Sequence, residues 1–320
     1  MRKFGEYALT FFCIITLNFL LPRLIPGDPF TFLAADTDEV AITCSEEQIA
    51  RYKEYYGLDK PLSSQYVQYI DNMLHGYIGY SIYYHEDVLA MIEKRAAWTV
   101  SLVTVSLGIS CVLGTILGSF SAWKRNRSFD QRLYLLMISF SEIPSFLIGL
   151  FFLFIGAVCL GWFPLSGGMS PFAVFASPLP KMLDIVHHAL LPVLTLVVAR
   201  LGEFYLISRN SMLTVLSKDY IRTAQGKGLT KKRILFGHAL RNAAIPVVTR
   251  MFLSLGHVFG GAVLVENVFR YPGVGYLMRE SVMIRDYALI QGIFLFIAAA
   301  VLTMNFAADM LYQKLDPRIR

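Results

Sequence analysis

The stretch DYIRTAQGKGLTKKRILFGHALRNAAIPVV, Asp219 to Val248, lies between two long apolar runs. It is the most polar and most basic part of the second half of the chain. Ser217 is expected to cap a short helix, with Asp219 in its first turn, where negative charge suits the helix dipole. That helix would carry Tyr220, Ile221, Ala224 and Gln225, and end at Gly226–Gly228. Thr230 would cap a second helix, KKRILFGHALRNA, leading to Pro246. Lys231, Lys232 and Arg233 then stand at a helix start, the unfavourable end for cations, so anionic headgroups or an acidic partner should compensate them. Membrane topology alone accounts for the positive charge. It does not account for two helices separated by glycines, or for the small residues Ala224, Gly226 and Gly228, where another surface can approach.

The flanking runs decide the class. Of 320 residues, 55% are hydrophobic and 16% charged, against about 25% charged in an average soluble domain. So little polar surface cannot cover a water-soluble globule. The formal net charge of +6 is concentrated beside apolar runs, which points to membrane topology rather than nucleic acid. Cys13, Cys44, Cys111 and Cys159 are scattered, and no pair has metal-ligand spacing.

Six runs reach the ~20 apolar residues a membrane helix needs: 7–25, 97–122, 133–159, 188–208, 246–265 and 288–312. Pro22, Arg23 and Pro26 follow the first run where a cleavage site would need small residues, so it reads as a retained anchor. Lys and Arg set the orientation. Arg2 and Lys3, then Lys124, Arg125, Arg127 and Arg132, then the opening stretch, then Lys314, Arg318 and Arg320, define one side. The acid-rich 28–95 segment lies on the other. Both termini are therefore expected in the cytoplasm, and the 28–95, 161–187 and 266–287 connections outside. Within 28–95, the capping box at Ser45–Gln48 opens a helix ending at Gly57. A second helix is expected from a Ser64 cap to Gly76, with Val67, Ile70 and Leu74 on one face and both helices on the outer membrane surface.

Catalytic patterns fail on inspection. The glycines at 226 and 228 lack the spacing and the Ser/Thr of a phosphate-binding loop. HEDVL at His85 has Leu89 where a zinc protease would have its second histidine. His187 and His188 are adjacent, so on a helix they point about 100° apart. Tyr271 to Leu277 has too few glycines for a dinucleotide loop, and no nucleophile has a base beside it. Five ionisable residues lie in or beside spans, where charge is costly. Arg200 and Glu203 share a face and can pair, Glu142 precedes a Pro144 kink, His257 is in the fifth span and Glu266 closes it. They are candidates for intramembrane pairing or a polar pathway.

The opening stretch resembles the cytoplasmic coupling loop of bacterial ATP-binding-cassette importer permeases, in the dipeptide, oligopeptide and nickel branch. The matching residues are Asp219, Tyr220, Arg222, Thr223, Ala224, Lys227, Gly228 and Leu229, then Arg241–Asn242–Ala243, then Pro246. The general importer motif would have Glu-Ala-Ala where Arg222, Thr223 and Ala224 stand; those departures belong to the branch. LPRLIPGDPF at 21–30, YGLDKPLSSQY at 56–66, ENVFRYPGVGYL at 266–277, RDYALIQG at 285–292 and the closing LDPRIR extend the resemblance over nearly the whole chain.

The resemblance implies an all-α, six-span, type I importer permease over 1–320, with a core region at 97–312 and a cytoplasmic coupling loop at 209–245, in the bacterial inner membrane. Residues 219–229, Ile221, Gln225 and Gly226 included, would be the coupling helix. The implied partners are a second permease, a different chain, two ATPase subunits that bind ATP and magnesium, and an external solute-binding protein. The chain itself would bind no cofactor and no nucleic acid and catalyse nothing. A bulky residue at Ala224 or Gly228, such as Gly228→Trp, should block docking. Di- and oligopeptides are the favoured cargo; nickel or a metal chelate is the alternative. An ion-driven secondary transporter would show an internal repeat, and none is visible. A membrane-embedded hydrolase would need the missing catalytic group.

Overall fold

The computed structural model describes residues 2–24, 60–81 and 83–315. The expected helix at 45–57 and the closing LDPRIR segment beyond Leu315 lie outside them. The regular elements of the described residues are all helices, with one isolated antiparallel bridge between Tyr80 and Asp87. The helices are α1 (Arg2–Leu24), α2 (Leu62–Leu74), α3 (Val88–Trp123), α4 (Ser128–Ser141), α5 (Ser145–Phe152), α6 (Pro178–Leu216), α7 (Asp219–Gly226), α8 (Lys231–Arg233), α9 (Leu240–Phe269), α10 (Val274–Met283) and α11 (Tyr287–Leu315). π-helical turns extend α5 through Leu153–Cys159 and join α8 to α9 through Ile234–Ala239.

Among the described residues, α3, α6 and Tyr287–Ala308 of α11 are long and apolar enough to cross a membrane. The first expected run lies in α1, whose apolar part, Gly5–Leu20, is shorter, and the fifth lies in α9. The third expected run is not one rod. It is α4 and α5, bent by 99° between Ser141 and Ser145. Pro144 supplies no N–H and disfavours helical geometry at Ile143, so the helix stops and restarts.

The chain divides into two compact units. The first comprises Met1–Ala97 and Tyr276–Leu302. Here the Tyr66 and Tyr69 rings of α2 lie 5.1 and 5.6 Å from the Phe19 ring of α1. Asn18 donates to the Tyr69 hydroxyl and, at 2.8 Å, to the Gln291 carbonyl. Ser64 is not the cap of α2. Pro61 takes that place, because its fixed extended backbone lets its carbonyl accept from Ser64 and Gln65 at 2.9 and 3.1 Å. The helix closes at Leu74, with Gly76 just beyond at φ 78°. Its Tyr66 and Tyr69 face α1, while Val67 and Leu74 stay exposed. Asp87 caps α3 through Leu89 and Ala90 N–H, which is the role of the HEDVL segment. Asp286 caps α11 through Leu289 N–H and accepts from the Ser81 hydroxyl at 2.5 Å.

The second unit comprises Trp98–Gly275 and Thr303–Arg320. Its axis is the packing of α3 on α6. Gly114 and Gly118, four apart, put the α3 backbone directly against Phe204, Tyr205 and Ser208; a Cβ added at either would lie 2.5 Å from an α6 atom. Small residues at this spacing let membrane helices approach closely. Ser208 then donates to the Thr115 carbonyl at 3.0 Å and pairs with Ser119 at 3.2 Å. At one end of this pair Leu102, Leu191, Leu196, Val265, Phe269 and Tyr271 form a core, and nearer the middle Val103, Leu107, Phe204 and Val247 form another. At 39 residues, α6 is about 58 Å long. The 160–177 link and α7 stand at its opposite ends.

Candidate functional site

At the far end of α6, the chain turns into α7. Ile221 is wholly buried and Ala224 nearly so, against Ala122 at the end of α3, Met212 of α6, and Ile234, Ala239 and Ala243. Burial at positions i and i+3 fixes one face of a two-turn helix. Burying Ile221 contributes about 1.5–3 kcal/mol, enough to hold a helix too short to persist alone. The opposite face carries Asp219, Tyr220, Arg222, Thr223, Gln225, Gly226, Lys227 and Gly228, all exposed. Leu229 is half-buried against the same cluster as Ile221.

The ends of α7 are set locally. Ser217 is not its cap: Lys218 is, and the Ser217 hydroxyl turns back to the Thr214 carbonyl at 2.8 Å. At the other end Gly228 N–H bonds the Gln225 carbonyl at 2.9 Å and Leu229 N–H reaches Ala224 at 3.4 Å. That pair of bonds is a Schellman motif, and Gly228 takes the left-handed φ of 76° it requires. The second helix begins at Lys231, and the Thr230 carbonyl accepts from Ile234 at 3.0 Å. Asn242 of α9 donates to the Tyr220 hydroxyl at 3.0 Å. The Arg222–Asp219 pair, 3.6 Å apart, is exposed and adds little.

Behind α7 stands a charged clamp that sequence reasoning missed. Arg209 of α6 grips Asp130 of α4 with two bonds of 2.9 Å. Asp130 is only 2% exposed. It also accepts from Ser121, which pairs with the Tyr205 hydroxyl at 2.6 Å. Arg209 lies over the Tyr134 ring. Ser121 adjoins Ala122, and Arg209 is one turn from Met212, so the clamp and the α7 seat share helix ends. A lone acid, Asp130, among Lys124, Arg125, Arg127 and Arg132 was the available signal.

Comparison with known proteins identifies the family of the chain. Residues 114–320 match the model of the binding-protein-dependent transport system inner membrane component, and residues 1–103 match that family's N-terminal model. The chain belongs to this family. The di/tripeptide transport system permease protein DppB of Pseudomonas aeruginosa is 33% identical, over 100% of this chain and 97% of its own length. The dipeptide transport system permease protein DppB of Escherichia coli is 33% identical over 100% and 98%. A putative peptide permease protein of Brucella suis is 36% identical over 95% and 93%.

The other candidate residues of this inner membrane component separate into three settings. Arg200 and Glu203 do meet, at 3.5 Å, and Arg250 of α9 bonds the other Glu203 oxygen. Arg250 was not foreseen, since it comes from another helix. Glu142 is exposed at the break between α4 and α5. His257 lies in α9, and its side chain falls outside the described residues. Glu266 is wholly buried. Its Oε1 accepts from the Thr99 hydroxyl at 2.7 Å and its Oε2 from Gly275 N–H at 2.7 Å. Thr99 in turn accepts from Val274 N–H at 2.8 Å. The pair satisfies the first donors of α10, where a carboxylate suits the dipole. In this arrangement Glu266 caps α10. Its carboxyl occupies the space where a Cβ of Gly273 would stand, and Gly275 faces it too. Burial, then the negative charge of Glu266, pushes the Tyr271 phenol up to about 12.

Ala224 also changes meaning. Expected to let a partner approach, it faces the chain's own cluster. Gly226 and Gly228 face open space, with nothing within 4 Å of an added Cβ. Gly228 has a second reason to be glycine, its φ, so Gly228→Trp would mix backbone strain with steric blocking. Gly226 is free of that complication.

Proposed function

We propose that the chain is one of two membrane-spanning subunits of an ATP-driven importer of di- and oligopeptides in the bacterial plasma membrane. It crosses the bilayer six times, with both termini and α7 in the cytoplasm. The second permease is a different chain. Two ATPase subunits bind ATP and magnesium and perform the hydrolysis; this chain is not catalytic. An external solute-binding protein delivers the cargo, and the two permeases alternate between outward- and inward-facing states.

One observation carries this reading: α7 is rigidly seated by Ile221 and Ala224 on the ends of α3 and α6, yet its glycine-bearing polar face is open. Such a helix transmits a push. A partner pressing on Gly226 moves the helices that hold Ile221. The peptide assignment is supported by relatives named as dipeptide and di/tripeptide permeases, aligned over nearly their full lengths.

The test is a complex of both permeases, two ATPases and the binding protein, reconstituted in proteoliposomes and given a labelled dipeptide. ATP-dependent uptake that Gly226→Trp abolishes, without loss of membrane insertion, is the expected result. Uptake without ATPase subunits, driven by an ion gradient, would overturn the reading.

A further inference from the structure

The link at the other end of α6 is built inside out. From Ile143 to Pro180 the sequence contains no Asp, Glu, Lys, Arg or His. Several of its polar groups are bonded on the inner side. Ser170 donates to Asp184 through both its N–H, at 2.7 Å, and its hydroxyl, at 2.6 Å. Gly167 N–H bonds the Phe269 carbonyl at 3.0 Å, and His187 bonds the Trp162 carbonyl at 2.9 Å. Gly168 packs against Pro272 and Trp98. The outer side is apolar. Trp162 is 66% exposed, Phe172 103% and Val174 98%. Phe172 holds φ at 59°, a left-handed value uncommon for a bulky residue, at the tip of the turn. Exposed Leu179, Leu183 and Val186 continue the surface along the first turns of α6.

A loop meant for water places apolar groups inward and polar groups outward. A loop meant for a soluble protein partner carries a polar rim around its contact. Up to Pro180 this one offers no charge to either, and Lys181 is the one exposed charge between there and Val186. The preceding α5 and its π turn, which run directly into the link, likewise expose Phe151, Phe154 and Val158. Trp162, with an apolar ring and a polar edge, suits a membrane–water boundary.

We propose that the 160–186 link is a membrane-surface element, seated in the headgroup–acyl boundary with Phe172 and Val174 as its wedge and lipid as its occupant. The stapling to Asp184 and Phe269 keeps the wedge rigid, so the boundary becomes a fixed bearing for that end of α6. The inference rests on the membrane-spanning reading alone and does not depend on cargo or on ATP.

The test uses the full complex in vesicles of phosphatidylethanolamine and phosphatidylglycerol, with native cysteines replaced and a nitroxide attached at Phe172→Cys. Collision with oxygen is compared with collision with a water-soluble nickel chelate. The expected result favours oxygen over the chelate, with Val174→Cys and Leu183→Cys agreeing. Strong collision with the chelate at 172 would mean water and would overturn the proposal. Exclusion of both reagents would mean a protein partner and would overturn it equally. Because no transport is read, either failure leaves the import reading standing.

Discussion

Two G-x-G sequences sit in this molecule for opposite reasons. Gly273–Val274–Gly275 is glycine because the inside is full: the Glu266 carboxyl and Val263 fill the space of the missing side chains. Gly226–Lys227–Gly228 has nothing within 4 Å of an added Cβ at either glycine. The first pair is a packing requirement of the chain itself. The second is open to solvent, with Gly228 required by its left-handed φ of 76° and Gly226 under neither constraint. The same residue type and spacing thus answer to tight packing in one place and to a helix end beside an open surface in the other.

The largest expected effect comes from the carboxylate that fills the first site. Glu266→Ala leaves the Gly275 N–H and the Thr99 hydroxyl without that acceptor, at about 3 kcal/mol. Thermal unfolding of the detergent-purified complex should show it as a lowered midpoint. Gly273→Ala comes next, at about 2 kcal/mol of overpacking. The two should be strongly non-additive, because removing the carboxyl removes the clash. If Gly273→Ala is equally harmful beside Glu266→Ala, the steric account of that glycine is wrong.

Smaller effects belong to the second site. Gly228→Ala should cost about 1 kcal/mol, from forcing φ 76° on a residue with a Cβ; hydrogen exchange at the α7 C-terminus would report it as faster opening. Gly226→Ala should leave the unfolding midpoint within about 0.5 kcal/mol of the original, as a surface change does. A midpoint shift as large as that of Gly273→Ala would erase the difference between the two sites.

Much of this was legible from residue order, and the misses have physical causes. The two helices of the 219–248 stretch were readable because Asp219 and Gly228 mark helix ends locally. The cap was misread by one residue because a serine hydroxyl has a competing acceptor one turn back, the Thr214 carbonyl. Pro144 advertised a kink, but a 99° break also needs a place for the restarted helix, and spacing does not encode that. Arg200 and Glu203 were paired from their i,i+3 spacing, whereas Arg250 arrives from another helix and carries no local cue. Glu266 stood out as a charge beside a span. Its role as a cap appears only when Thr99, far away in sequence, comes to face it. Ala224 and Gly226 looked alike because both are small; which faces inward depends on where Met212 and Ala122 lie.

The central claim is that the open face of α7 is a docking surface for an ATPase subunit. Its most direct measurement is maleimide labelling of Gly226→Cys, in a background without native cysteines, on the permease pair alone and after ATPase subunits are bound. The account predicts ready labelling of the pair alone and protection once the ATPases bind, with Phe172→Cys unaffected by that binding. Equal labelling of residue 226 with and without the ATPases would contradict it.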